Sequence, residues 1–104
     1  MDKKKLIVQL KQFKKKIMKK HNVKEIIFFG SMAKGKPHKW SDVDILIVSP
    51  KFKGKSVLKR SPDLYLEWNL DYPVDFLCYT PEEYKKYSKM ETIVKQAVKE
   101  GIKI

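Results

Sequence analysis

The stretch "GSMAKGKPHKWSDVDILIV", residues 30–48, begins with a glycine-serine turn, crosses a basic polar loop and enters a hydrophobic strand with two aspartates at its mouth. Side chains alternate along a strand, so Asp42 and Asp44 are expected on one face, their Cα atoms roughly 6.6–6.8 Å apart. Val43, Ile45 and Ile47 then face the opposite side and anchor the strand, while Leu46 and Val48 continue the aspartates' face inward. Two carboxylates so close repel each other, and a proton or a bound cation must relieve that repulsion. All-oxygen ligation with incomplete protein coverage suits Mg²⁺ or Mn²⁺ shared with substrate phosphates. Asp-x-Asp by itself is better explained as a turn residue followed by a strand-end solubiliser, so the upstream residues matter. A glycine after a buried strand lets a phosphate approach the backbone, and Ser31 adds a hydroxyl.

Outward from this stretch the periodicity is regular. Leu6, Leu10, Phe13 and Ile17 recur at three and four residues between Lys3 and Lys20, with lysines on the other face, which predicts a first helix. Asn22 is its expected stop, and "VKEIIFF" predicts a buried strand ending at Gly30. Gly35 and Pro37 break regular structure, although residues 31–34 suit one helical turn. "KFKGKSVLKR" suits a loop with a short helix, and Ser61-Pro62 the N-cap and first position of another. "PVDFLCY" predicts a third strand, and Thr80-Pro81-Glu82-Glu83 a capping box opening a helix to about Tyr87. Ile93, Val94, Ala97 and Val98 predict a last helix, with Gly101 as its C-cap and "IKI" as an edge strand. The expected fold is α/β (α+β), a small mixed sheet flanked by helices in a single domain over residues 1–104.

Composition narrows the function classes. No apolar run approaches the roughly 20 residues that span a bilayer, and the basic N-terminus lacks a cleavage signal, so a soluble cytoplasmic protein is expected. Cys78 is the single cysteine, which excludes an intrachain disulfide and fits a small buried hydrophobe. The formal charge of +12 would attract polyanions. The lysines are nevertheless spread along the chain, and Arg60 is the single arginine, whereas specific nucleic-acid sites use Arg forks and stacking rings. Nucleic acid is therefore not the favoured partner. His21 and His38 read as exposed loop residues, and Glu82 and Glu83 as first-turn helix residues.

The pattern G-S-x-A-x-G followed by S-D-x-D, here Gly30-Ser31 to Gly35 and Ser41-Asp42-Val43-Asp44, resembles the DNA polymerase β-type nucleotidyltransferase superfamily, specifically its minimal nucleotidyltransferase (MNT) branch. The likeness extends through "PVDFLCYTPEEY" to the chain's end, and Lys34 stands where relatives often carry Arg. The resemblance implies a third carboxylate on a neighbouring strand, and Asp75 matches that position. Strand alternation agrees, because it puts Asp75 and Leu77 on one face, while Asp71 and Glu67 lie in less constrained sequence. It further implies that Gly30 and Ser31 hold nucleotide phosphates, and that Asp42, Asp44 and Asp75 hold Mg²⁺ or Mn²⁺. Asp75 would also help deprotonate the acceptor. Family members of this size are commonly antitoxins that move AMP from ATP onto a tyrosine of a helical HEPN toxin, so that toxin is the implied partner. Two other classes stay open: a non-catalytic module that neutralises a partner by covering it, and a small RNA-binding protein using the ten lysines of residues 1–24.

Overall fold

A computed structural model describes residues 2–35 and 42–104. Ser41, His38 and the loop cations Lys36 and Lys39 lie outside the described residues. The elements follow in the order α1 (Lys3–Met18), β1 (Glu25–Phe29), α2 (Gly30–Ala33), β2 (Val43–Val48), a 3₁₀ turn at Pro50–Phe52, α3 (Val57–Arg60), α4 (Pro62–Glu67), β3 (Val74–Tyr79), α5 (Pro81–Tyr87), α6 (Ile93–Glu100) and β4 (Ile102–Lys103). The strands form one mixed sheet in the order β3-β2-β1-β4. β1 is antiparallel to both of its neighbours, and β2 runs parallel to β3, the α3–α4 crossover carrying the chain between them.

The two faces of the sheet divide the core as alternation dictates. Leu6, Leu10, Phe13 and Ile17 of α1 pack against Phe28, Val43, Ile45, Ile47 and Phe76. On the other face Ile27, Phe29, Leu46 and Val48 meet Val94 and Ala97 of α6. Both central strands are covered on each side, which explains why β2 reads as a continuous aliphatic run rather than an alternating one. Around Phe76 an aromatic cluster ties β3 to α1 and α4, with ring centroids at 5.9 Å from Phe13, 4.9 Å from Tyr65 and 5.8 Å from Trp68.

Element ends depart from the sequence expectation in instructive ways. α1 stops at Met18 rather than Lys20, and Asn22 then turns the chain with φ +47°. Asp2 caps its start by accepting from the Lys5 N–H. Asp42 falls just outside β2, and Ser61, expected as an N-cap, has helical dihedrals and makes no side-chain cap, because α3 ends directly against α4. The capping box at Thr80–Glu83 is present in full. Gly101 does cap α6, but in an extended conformation, φ −82°. Its glycine is needed for space: a Cβ there would come within 2.4 Å of both the Ala97 carbonyl and the Ile27 side chain. Ile93 and Val98, expected on the buried stripe of α6, are exposed. Among the described residues no helix is long and apolar enough to cross a membrane.

Candidate active site

Asp44 is the second residue of β2, in register with Phe29 on one side and Asp75 on the other. Residues paired across strands share a face, so Asp44 and Asp75 project together, from strands about 4.8 Å apart, on the side that carries α5 and α6. Asp44 is half-buried, whereas Asp42 and Asp75 are exposed. Burial first, then the charge of Asp75, then that of Asp42 push the Asp44 carboxyl above its ordinary 3.8. Asp44 thus lies within reach of the charges of both other aspartates.

Gly30 fits against this group. It has φ +84°, and a Cβ built on it would lie 2.2 Å from the Asp44 Oδ2. Two properties of glycine are used at once: the left-handed backbone that turns β1 into α2, and the missing side chain that leaves room for the carboxylate. Ser31 follows in the first turn of α2. A hollow of about 400 Å³ opens here, with Phe29, Gly30, Ser31, Lys34 and Asp44 on one wall and Ile93, Gln96 and Glu100 of α6 on the other. Its volume falls in the range of small-molecule sites.

A second hollow of about 250 Å³ borders Asp75, between β3 and the residues Val57, Leu58, Ser61 and Tyr65 of the crossover. The Tyr65 hydroxyl donates to Asp75 Oδ1 at 3.4 Å and accepts from the Phe76 N–H at 3.2 Å, so α4 both closes the outer edge of β3 and orients the aspartate. The Asp44–Asp75 pair therefore lies between two cavities, one on the glycine-serine side and one on the crossover side.

The donor set suits a hard divalent cation chemically: closely spaced carboxylates, one of them half-buried and destabilised by its neighbours. Its members have not closed on a common point, since among the described residues no three His, Cys, Asp or Glu side chains are grouped to hold one ion. The competing carboxylates are elsewhere. Glu67 is bonded to His21 and Lys20, which pulls its carboxyl below the ordinary 4.5 against the effect of burial, and Asp71 is exposed. His21, expected in an exposed loop, is half-buried through that contact. Cys78 is buried as expected, its thiol pushed up to about 12 chiefly by desolvation.

Sequence reasoning missed several residues around the site. Arg60 makes a two-pronged bond to Glu83, at 2.6 and 3.2 Å, and a further one to the Cys78 carbonyl. The single arginine of the chain is thereby committed to joining the crossover to the start of α5. Lys34 pairs with Glu100 at 2.9 Å across the larger hollow. No periodic signal links positions 34 and 100, or 65 and 75, because these contacts exist only once the sheet is assembled.

The sheet is thus mixed and four-stranded, with carboxylates at the same end of two parallel strands and a glycine turn facing them. Residues 10–104 match the family described as "Nucleotidyltransferase domain", and the chain belongs to that family. The fold agrees with a crystal structure of a provisionally assigned nucleotidyltransferase from Sulfolobus solfataricus, at TM-score 0.65 and 22% identity over 81% of this chain and 75% of that one. No curated protein matches. Family and fold together support a transferase, with a nucleoside triphosphate as the substrate and a divalent metal as the usual cofactor of such domains.

Proposed function

We propose that the protein transfers AMP from ATP to a hydroxyl group, releasing pyrophosphate, and that the acceptor is a tyrosine of a helical HEPN partner toward which this chain acts as antitoxin. The observation that carries the nucleotidyl-transfer reading is the pairing of Asp44 with Asp75 against Gly30, with a cavity on each side. The donor fits the larger hollow, its phosphates along Gly30 and Ser31, and the acceptor approaches from the Asp75 side. The acceptor oxygen bonds to the α-phosphorus while the bond from that phosphorus to the β-bridging oxygen breaks, and the hydroxyl proton passes to a carboxylate. What supports Asp75 as its acceptor is that it is exposed, borders the smaller hollow, and has one oxygen held by Tyr65. Asp42 and Asp44, with Asp75, would hold Mg²⁺ or Mn²⁺, which when bound screens the phosphate charge and stabilises the leaving oxygen. Asp42 and Asp75 are exposed, so packing does not oppose their turning toward a cation.

A second reading, a non-catalytic module that covers its partner, draws on the open arrangement of the carboxylates. One experiment separates the two. The protein is incubated with Mg²⁺, the HEPN candidate and ATP labelled at the α-phosphate or, in parallel, at the γ-phosphate. Transfer of the α-label alone, lost in Asp44→Asn and Asp75→Asn variants that still bind the partner, is the expected result. A partner fully inhibited by wild type with no label attached refutes the enzymatic reading.

A further inference from the structure

The cavity beside Asp44 holds a cation that the chain itself has already paired. Lys34, one residue beyond α2, reaches across the hollow to Glu100 at the end of α6, 2.9 Å from Nζ to Oε2. Gln96, one turn earlier on the same helix, donates to the same carboxylate oxygen at 3.4 Å. Both partners of the ion pair remain close to half exposed, Lys34 at 45% and Glu100 at 40%. Such a pair is weak and readily exchanged, because solvent screens it and two long side chains must be ordered to make it. It nevertheless occupies the cationic group on a wall that also presents Gly30 and Ser31.

We propose that Lys34 binds the phosphate tail of the donor nucleotide in this cavity, and that Glu100 is an internal competitor for it, released when the phosphates arrive. The inference rests on the nucleotidyl-transfer reading and adds to it two residues with opposed effects on donor affinity. A polyphosphate carries several charges where Glu100 carries one, so it wins the lysine despite the local carboxylate. Glu100 then sets a threshold: the cavity exchanges its internal anion for a polyphosphate and discriminates against ligands with little charge. The alternative role for the contact is a brace holding α6 to α2, which would move stability without moving affinity.

Calorimetry with inorganic tripolyphosphate, ATP and adenosine as probes separates these. Glu100→Gln is expected to tighten tripolyphosphate and ATP binding by roughly two- to fivefold, the range that the free energy of a surface pair allows. Lys34→Gln is expected to weaken both, and Glu100→Gln added to Lys34→Gln to change little further, because the competitor has lost its target. Adenosine binding should not respond to any of the three variants. Glu91→Gln, which removes a carboxylate paired with Lys95 rather than Lys34, is the control for net charge and should leave the affinities unchanged. Thermal melts establish that each variant is folded. Unchanged or weaker polyphosphate binding in Glu100→Gln, or an equal gain with Lys34 absent, overturns the competition while leaving the transferase reading intact. Failure of wild type to bind ATP or tripolyphosphate overturns both.

Discussion

Replacing Gly30 by alanine tests whether the glycine turn and Asp44 form one unit. The added Cβ would sit 2.2 Å from Asp44 Oδ2 and 3.1 Å from its Cγ. Ordinary contact requires about 3.4 Å, so the carboxylate has to retreat by about 1 Å. Holding a non-glycine residue at φ +84° costs about 1–2 kcal/mol, and forcing Asp44 off its rotamer adds about 1 kcal/mol. The expected destabilisation is therefore about 2–3 kcal/mol. The two contributions separate in a double-mutant cycle, because in an Asp44→Ala background the nearest remaining atom is the Asp44 Cβ position at 3.3 Å, which a slight shift accommodates. There the cost of Gly30→Ala should drop to the backbone share alone, leaving a coupling energy of about 1 kcal/mol. Urea unfolding of the four proteins at one pH measures it. Equal costs in the two backgrounds would refute the packing of the turn against the carboxylate. If transfer activity is measured alongside, a 1 Å displacement of Asp44 should lower it by about 100-fold.

Two further outcomes follow from the site's surroundings. Asp44 has a folded pKa above its ordinary 3.8, so the native state keeps a proton that the unfolded chain releases, and stability falls as pH rises from 3.8 through the folded value. Asp44→Asn should accordingly be more stable than wild type at neutral pH, with the gap closing below about pH 3.8; a gap independent of pH in urea midpoints would contradict this. Glu83 has the opposite sign, held below its ordinary 4.5 first by the Arg60 hydrogen bond, so its contribution is present above pH 4.5 and is lost on acidification through the lowered value. Arg60→Ala should cost about 2 kcal/mol near neutrality, allowing for partial solvent screening, and should reduce the loss of stability on acidification; an effect under about 0.5 kcal/mol in denaturation would exclude that role for the pair.

How far the site could be read from the chain depended on whether a residue's environment is local. The alternation in "DVDILIV" and "VDFLCY" showed which neighbours share a face with Asp44 and with Asp75, because a strand's period of two is a local property, whereas the juxtaposition of the two aspartates came from the family resemblance. The turn at Gly30 was legible for the same reason, although the contact that excludes a side chain there comes from Asp44, fourteen positions on. Ser61 misled because Ser-Pro is an N-cap pattern, and the pattern does not register that another helix ends at the same residue. Ile93 and Val98 misled because periodicity marks apolar positions, while the face of α6 that meets the sheet is carried by Val94 and Ala97 and leaves Ile93 and Val98 exposed. Arg60–Glu83, Tyr65–Asp75 and Lys34–Glu100 join elements through tertiary approach, and their sequence separations carry no period.

The facing pair Asp44 and Asp75 also bears on how the chain finds its strand register. A parallel pairing made through a long crossover has no tight turn to fix its alignment, and hydrophobic strands can pair in several frames. Moving β3 by one residue would turn Asp75 toward the side where Phe13, Phe76 and Trp68 pack, forcing a charge among apolar rings. Moving it by two would keep the face but bring Leu77 or Pro73 opposite Asp44. The first slip is thus strongly disfavoured, while the second would relieve the like-charge repulsion that the native frame accepts. What holds the native frame against it is the aromatic seating of Phe76 beneath the sheet and the Tyr65 hydroxyl at its edge. The crossover helix therefore serves as the alignment gauge of the sheet, and the residues that select the frame are also those that bring the two aspartates face to face.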